Sequence, residues 1–596
     1  MASEQTFSPL PPWQRSDYCG AIRATDEGRE VALWGWVGAR RDHGGLIFID
    51  LRDREGIVQI VFNPERANEA HRIAGEARSE YYIAVKGTVV RRSPATINAE
   101  LPTGEIEIAA TEARILNPSA PPPFPLTGDP AAEDVRLRYR YLDLRRPEMQ
   151  RNIRRRHLAV RGAREHLDSL GFVEIETPIL WRATPEGARD YLVPSRVNPG
   201  RFYALPQSPQ LLKQILMVGG FDRYYQIARC FRDEDLRANR QPEFSQIDIE
   251  MTGPRIEDIM TMGEGMIASM YRRAIGVELE LPFLRMPWSE AMDRFGSDKP
   301  DMRFGLELRN LTEAFAGTGL RVLADALSRG ESIYGLAIPA EYQLSRRELD
   351  EMVEWLKARN GLGLAWVKAA PDGWQGPIAR HLDETARTRL TEAASLVGGE
   401  TILISAGPPS KVRPALGDIR LQLGNRFGLR DKSVMRFLWV RDFPLFDYSD
   451  EEKRLVSVNH PFTAPNPEDL DRLDSDPTGV RALAYDMVLN GEELGGGSIR
   501  IHNSELQLRV FEKLGIPRDE ARNKFGFLLD ALGFGAPPHG GIAFGVERIV
   551  MLLCGTDSIR DVMAFPKTQK AVDLMSGAPS EVGTDQLRDL AIRVTS

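Results

Sequence analysis

Three cysteines in 596 residues are too few for a disulfide framework. Cys19, Cys230 and Cys554 also lie too far apart for a CxxC or Cys/His metal site. A structural zinc is therefore not expected, and a reducing, cytoplasmic setting is. No apolar run approaches the roughly 20 residues that a bilayer-spanning helix needs. Met1 to Trp13 is polar and proline-bearing, without a basic segment followed by an apolar one, so neither a membrane partner nor a secretory signal is expected. The glycine–lysine loop of Walker-type nucleotide sites is missing, and so are internal repeats and low-complexity tracts. Excess positive charge is missing too: 77 Lys and Arg against 85 Asp and Glu give a net charge of −8. That excludes a globally basic nucleic-acid binder but leaves room for a local basic surface. What remains, 42% hydrophobic and 27% charged residues, is the composition of a globular enzyme, and the length exceeds what one core supports.

Residues 31–116 read as β-rich, with strand candidates at 31–37, 46–51, 57–62, 81–90 and 105–109 and a helical stretch at 64–78. Five short strands and one helix are the layout of an OB-fold barrel, with a sandwich as the alternative. Residues 117–131 hold six prolines and read as a stiff linker. Residues 136–164 then carry eleven arginines against two acids, Asp143 and Glu148. Such a run is either a solvated helical face or a track for a phosphate backbone. From Arg154 a helix runs to about Leu170, stops at Gly171 and is followed by the strand 172–178. Between about 303 and 429 helices such as 345–359 alternate with strands such as 364–368 and 401–405. No residue of catalytic type falls there, so it reads as an inserted domain. The expected division is 1–116, 117–151 (hinge), 152–302, 303–430 (insertion), 431–567 and 568–596 (extension).

Two distant segments hold the residues suited to a nucleoside triphosphate. The first runs from Phe231-Arg232-Asp233-Glu234 through Gln241 and Phe244 to Asp248; the second is Gly541 to Arg548. Arginine is apt there because its planar fork grips phosphate oxygens and its flat face stacks on a purine. Ser208, Gln210 and Lys213 fall on a turn entering a helix. Arg500 follows what reads as a tight Gly495-Gly496-Gly497 turn. Lys213 and Arg500 facing one pocket would suit a small carboxylate, with Asp248 receiving an ammonium or orienting the cations; ordinary surface charges are the plainer alternative. Asp486 and Glu493 lie seven apart, two turns if the stretch is helical, and could hold Mg²⁺ against substrate phosphates.

These segments resemble motifs 2 and 3 of class II aminoacyl-tRNA synthetases, and helix–strand–Pro178 resembles the dimer-forming motif 1. Over nearly its whole length the chain is similar to the bacterial-type aspartyl-tRNA synthetases. The matches lie at Arg40–Asp50, Gln207–Lys213, Phe231–Asp248, Gly296–Pro300, Tyr485–Met487, Gly495–Arg500 and Gly541–Arg548. The class I signatures HIGH and KMSKS are missing. The resemblance implies a multidomain α+β chain: an N-terminal OB-fold barrel, an antiparallel-sheet catalytic domain and an inserted α+β domain. It implies aspartyl-adenylate formation from ATP and L-aspartate, then transfer to the 3′-end of tRNA(Asp). It assigns catalysis to Arg232 and Arg548. Aspartate falls to Glu186, Ser208, Gln210, Lys213, Arg232, Asp248, His460 and Arg500. ATP falls to Arg232, Asp233, Glu234, Gln241, Phe244, Glu493 and Gly545, Val546, Glu547 and Arg548. Mg²⁺ falls to Asp486 and Glu493. Where the family often shows two histidines, this chain has Asn459-His460.

For the anticodon the resemblance names Arg41, His43, Phe48, Gln59 and Glu107. An exposed aromatic on an OB sheet is a base-stacking platform, whereas Phe48 as barrel core is the alternative. His43, with a looser match at Ala95, is the mark of relaxed members that charge tRNA(Asn) as well as tRNA(Asp). Such an enzyme is expected to be a cytoplasmic homodimer working beside an amidotransferase. The competing readings are a strictly tRNA(Asp)-specific enzyme, an asparaginyl- or lysyl-tRNA synthetase, and a non-catalytic RNA-binding paralogue. Two cations for the substrate side chain disfavour the related synthetases, and intact Arg232, Glu234, Asp486, Glu493 and Arg548 disfavour the paralogue.

Overall fold

The computed structural model describes residues 10–184 and 187–595. The chain forms two compact units: residues 1–154 with 560–580, and residues 155–559 with 581–596.

In the first unit, β1 (Glu30–His43), β2 (Leu46–Asp53), β3 (Gly56–Phe62), β4 (Tyr82–Arg91) and β5 (Ile106–Asn117) close into a barrel in the order β1-β2-β3-β5-β4. The helix Asn68–Glu76 lies between β3 and β4 in sequence. β1 runs past the expected Val37 because pairing with β2 carries it on, with Arg41 opposite Phe48 and His43 opposite Leu46. Gly44 and Gly45, at φ 61° and 81°, make the tight turn between them. Along β2, Ile47, Ile49 and Leu51 are buried while Phe48 and Asp50 face outward. Phe48 is therefore not barrel core.

Part of the arginine run has a use that neither expected alternative named, while Arg138, Arg151 and Arg161 stay exposed. Arg140 is buried and donates to the carbonyls of Arg560 (2.6 Å), Met563 (2.7 Å) and Ala564 (2.9 Å). Arg145 pairs with Glu80 at 3.0 Å and lies 4.6 Å over the Trp36 ring. Arg146 donates to Gly128 O at 3.1 Å, and Arg154 pairs with Glu55 at 2.9 Å. The guanidinium has five donors, so it can saturate irregular backbone that no helix or sheet satisfies. Here it braces the proline-rich hinge and residues 560–564.

The helix Pro147–Ser169 leads into the second unit. It starts earlier than the expected Arg154, since proline suits a first turn where no intrahelical N–H is needed. Only Val173–Glu174 (β6) of the expected following strand is paired. Next come the ribbon of β7 (Leu192–Pro194) and β8 (Phe202–Ala204), then β9 (Arg223–Phe231), β10 (Glu243–Thr252) and β11 (Leu284–Pro287). The inserted region has its own sheet, β12 (Leu308–Asn310), β13 (Ser332–Ile338), β14 (Leu364–Ala370), β15 (Gly373–Gln375) and β16 (Thr401–Gly407), ordered β12-β13-β16-β14-β15. β17 (Phe437–Arg441) returns to the main sheet, followed by the ribbon of β18 (Phe446–Ser449) and β19 (Arg454–Ser457). β20 (Ala484–Leu489), β21 (Glu492–Ile499) and β22 (His539–Gly545) complete an eight-stranded sheet, β11-β17-β20-β21-β22-β10-β9-β6.

Two local expectations are corrected here. Asp486 and Glu493 lie on the adjacent strands β20 and β21, not on a helix; a hairpin brings them together as well as two helical turns would. Gly495, Gly496 and Gly497 lie inside β21 rather than in a turn. They are glycine because β22 runs close: a Cβ on Gly497 would sit 2.2 Å from Gly541 O, and one on Gly495 2.6 Å from Ala543 O.

Candidate active site

The middle strands of the large sheet floor a cavity of about 520 Å³. At one end, the helix Gln210–Val218 carries Lys213 into the interior, where Nζ donates to Asp248 Oδ1 at 3.0 Å and lies 3.4 Å from Glu250 Oε2. Arg500, 1% exposed, grips Glu250 with two bonds, Nε to Oε1 at 2.9 Å and Nη2 to Oε2 at 3.0 Å. Its Nη1 donates to Ser498 Oγ at 2.8 Å. The two cations thus meet two protein carboxylates, Asp248 holding Lys213 and Glu250 meeting both. Glu250 escaped the sequence reading. Its signal was the period-2 row Gln246, Asp248, Glu250, which one face of β10 presents while Ile247 and Ile249 pack on the other.

Charge is balanced at this end, but hydrogen bonding is not. Asp248 Oδ2 and Gln210 Nε2 are buried without a partner, one an acceptor and one a donor, and both residues line the cavity. Burial pushes the Asp248 carboxyl up, with Lys213 opposing. At Glu250 burial acts the same way, yet the Arg500 and Lys213 cations more than offset it and hold the carboxyl below its ordinary range. Burial, then the charges of Arg500 and Lys213, drive the His460 imidazole well below its usual pKa, so the ring is neutral. Arg500 Nη1 donates to its Nε2 and the Phe462 N–H to its Nδ1 at 3.2 Å. A neutral imidazole has one acceptor nitrogen, so it satisfies one of these donors and leaves the other available.

At the other end, Arg232 follows β9 with its guanidinium 5.1 Å from the centroid of the Phe244 ring and its Nε buried and unpartnered. Glu234 pairs with Arg240 at 3.1 Å, and Gln241 is buried in the wall. Arg548, on the first turn of the helix Val546–Cys554, donates through Nη1 to the Glu493 carbonyl oxygen. Asp486 and Glu493 face each other over Gly496, where a Cβ would lie 2.6 Å from Asp486 Oδ1 and 3.5 Å from Glu493 Oε1. Burial and the Glu493 charge push the Asp486 carboxyl well up. Burial would also raise Glu493, but Lys299, 2.9 Å away, and Arg548 more than offset it and its pKa lies below the ordinary value. The described residues contain no cluster of three or more metal-ligating side chains. Two hard carboxylate donors, one of them needing positive charge to stay ionised, fit a hard divalent cation that takes its remaining ligands from substrate and water.

Not every expected residue lines this cavity. Asp233 points away and pairs with Arg189 at 3.7 Å, its N–H donating to Arg189 O at 3.0 Å. Val546 is fully buried in packing. Glu547 reaches the lining, but its carboxylate is taken by the Ser245 N–H at 2.9 Å and Arg156 at 2.7 Å, which makes it a brace between β10 and the helix Val546–Cys554. Gly545 lines the cavity and leaves room above the strand end. Ser208 also lines it, its Oγ accepting from the Gln210 N–H at 3.2 Å. Glu186 lies outside the described residues.

On the barrel, Arg41 makes a two-bond pair with Asp50 at 3.0 and 2.8 Å and reaches Gln59 at 3.3 Å; Gln59 in turn donates to Glu107 at 2.9 Å. Phe48 lies opposite Arg41 and two residues before Asp50 on the same face of β2, and Asp50 had not been singled out from the sequence. His43 is exposed at the hairpin tip, and Ala95 is exposed in the short turn Pro94–Thr96.

A family model described as "tRNA synthetases class II (D, K and N)" matches residues 132–569, and "OB-fold nucleic acid binding domain" matches residues 31–116. The "Aspartate--tRNA(Asp/Asn) ligase" of Syntrophotalea carbinolica is 53% identical, covering 98% of each chain. The protein of the same name from Nitratidesulfovibrio vulgaris is 52% identical over 99% of this chain and 96% of its own. Among solved structures, asparaginyl-tRNA synthetase from Pyrococcus horikoshii, complexed with asparaginyl-adenylate, matches with a TM-score of 0.60 at 20% identity, covering 93% of this chain and 98% of its own. A putative aspartyl-tRNA synthetase from Leishmania major matches at 0.57 and 20%, covering 91% and 92%. No helix among the described residues is long and apolar enough to cross a membrane.

Proposed function

The chain belongs to the class II tRNA synthetases of the D, K and N group, and from that membership we propose that it joins L-aspartate to tRNA(Asp) and tRNA(Asn) at the expense of ATP. The aspartate α-carboxylate attacks the α-phosphorus; a P–O bond forms to it, the bond to the β-phosphate oxygen breaks, and pyrophosphate leaves. The terminal ribose 3′-hydroxyl then attacks the activated carbonyl and AMP departs.

The observation that carries the amino-acid assignment is the pairing of Lys213 and Arg500 with one orphaned acceptor, Asp248 Oδ2, and one orphaned donor, Gln210 Nε2. A substrate with a side-chain carboxylate and an α-ammonium answers both needs, and His460 leaves a donor for the same carboxylate. Asparagine offers a neutral amide in place of that carboxylate and so forfeits the charge-assisted bonds the carboxylate would accept, although both cations keep their protein partners. Arg232, poised over Phe244 with a free Nε, meets charge developing on the α-phosphate; Phe244 and Arg548 take the two faces of adenine. Preorganised cations of this kind stabilise the transition state without reorganising when the charge forms. Magnesium on Asp486 and Glu493 would neutralise the outer phosphates.

The anticodon reading rests on Phe48, which faces outward beside the Arg41–Asp50–Gln59–Glu107 network, and on His43 at the tip. The names of the relatives, which include both tRNAs, support relaxed recognition. Asp-tRNA(Asn) so formed is a substrate for a tRNA-dependent amidotransferase. A homodimer is supported by exposed apolar side chains around the two-residue edge strand β6, among them Val173, Ile179, Leu180, Leu192 and Phe202. The place of action we assign is the cytoplasm, where three unbridged cysteines persist. The test is pyrophosphate exchange with aspartate, asparagine and lysine, followed by charging of purified tRNA(Asp) and tRNA(Asn). Exchange with aspartate alone and charging of both tRNAs is the expected result; no product on tRNA(Asn) overturns the relaxed reading.

A further inference from the structure

Lys299, in the segment Gly296-Ser-Asp-Lys-Pro300, has no part in the reaction as derived so far, although its side chain reaches the cavity. The segment is held from several sides. Gly296 ends the helix Trp288–Phe295 at φ 65°, and a Cβ there would lie 2.1 Å from the Arg413 carbonyl oxygen. A Cβ on Gly417 would lie 2.8 Å from Gly296 O, so this helix end and the helix Pro409–Arg426 of the inserted region touch through glycine on both sides. Ser297 Oγ accepts from the Lys299 N–H at 3.0 Å. Two residues on, the buried Asp301 carboxylate takes Arg303 at 2.6 Å and Arg430 at 2.9 Å. Arg420, 1% exposed, donates to the carbonyls of Asp301 (2.8 Å), Phe304 (2.9 Å) and Gly305 (2.9 Å). The turn between β20 and β21 closes the last side, a Cβ on Gly491 falling 3.4 Å from Asp301 Cβ.

So the root of the inserted region and the hairpin that carries Asp486 and Glu493 together fix one ammonium group. That ammonium lies 2.9 Å from Glu493 Oε2, and the charges of Asp298 and Asp486 act on it as well. A divalent cation on the same pair competes with it for Glu493, and the outer phosphates of a nucleotide offer it a second anion within the same cavity.

We propose that Lys299 is the resident counter-cation of the Asp486–Glu493 pair and that its ammonium passes to the outer phosphates when ATP occupies the cavity. It is a nucleotide-binding residue whose segment is set in place by the inserted region, and this rests on the nucleotide assignment made above. Lys299→Met tests it with two readouts. The first is Mn²⁺ binding to nucleotide-free protein, followed by the electron paramagnetic resonance of free Mn²⁺. With the competing charge gone, affinity should rise roughly fivefold or more, the size of an ordinary site–site coupling. The second is pyrophosphate exchange, where KM for ATP should rise by a similar factor while KM for aspartate and kcat stay near wild type. Lys299→Arg should restore both. Unchanged Mn²⁺ affinity, unchanged KM for ATP, or an equal rise in KM for aspartate overturns the proposal. If Asp486→Asn leaves Mn²⁺ binding unaltered, the carboxylate-pair assignment itself fails, and this proposal with it.

Discussion

At Glu250 one fully buried carboxylate receives both branches of Arg500 and the ammonium of Lys213. Removing one partner of such a cluster leaves buried charge uncompensated, which costs about 3–5 kcal/mol. Glu250→Gln should therefore lower the unfolding free energy by that amount in urea titration, and raise KM for aspartate as Arg500 loses its orientation. The acid limb carries a second signature. Because the folded-state pKa of Glu250 lies below its ordinary 4.5, the unfolded chain binds protons first as pH falls. The stability it contributes is complete above about pH 4.5 and is lost as pH drops through the folded value. The difference between wild type and Glu250→Gln should accordingly shrink below pH 4.5; a constant difference would refute the assignment of that stability to the ionised carboxylate. Lys213, Arg500 and Asp248 were singled out in the sequence by the family resemblance, since their residue types alone fit ordinary surface charges equally well. Glu250 was not, because what gives it meaning is Arg500, which lies 250 positions away and meets it only when β21, β22 and β10 stand side by side.

The hairpin of β20 and β21 shows what a spacing rule can and cannot deliver. Seven residues between two carboxylates fit a helix face and a hairpin equally well. Burial on every residue of β20 and three successive glycines in β21 point to the sheet. The glycines were noticed but read as a turn, since close approach by β22 cannot be seen from their own sequence. At Gly496 the cost of a side chain can be stated directly: a methyl group there would sit 2.6 Å from Asp486 Oδ1 and must push that carboxylate aside. Displacing a substrate-positioning group by about an ångström costs up to a hundredfold. In Gly496→Ala, the Mg²⁺ and ATP concentrations for half-maximal pyrophosphate exchange should rise about tenfold or more, while KM for aspartate, which the proposal assigns to β10, the helix Gln210–Val218 and an Arg500 held by Glu250 and Ser498, should change much less. Equal losses for both substrates would mean that the strand itself is distorted. Phe48 illustrates the same limit on the barrel. The alternation in β2 is regular, but which face is inside is decided by pairing with β1 and β3, so the sequence left two readings where the fold has one.

For the molecule as a whole, composition marks a β-rich start, six prolines and then an α/β pattern with an insertion, but nothing in it marks residues 560–580 as part of the first compact unit. The use of the arginine run was not visible, because its partners are backbone carbonyls and acidic side chains far away in sequence, such as Glu80 and Glu547. Two separate units imply separable functions, and that can be measured. Phe48→Ala removes a stacking platform worth about 1–3 kcal/mol per base, so kcat/KM for both tRNAs should fall roughly fivefold to 150-fold, with aspartate-dependent pyrophosphate exchange unchanged. His43→Leu should act differently. It leaves the platform, the Arg41–Asp50 pair and the Gln59–Glu107 bond in place and alters only the exposed hairpin tip. On the proposed anticodon role of His43, a polar ring would tolerate either of two bases, whereas an apolar one would leave a base edge unsatisfied. Charging of tRNA(Asn) should therefore fall relative to tRNA(Asp), again with exchange untouched. If both variants lowered the two tRNAs in the same proportion, His43 would belong to the general platform, and the source of relaxed recognition would have to lie elsewhere on the barrel, with the exposed turn at Ala95 the next place to substitute.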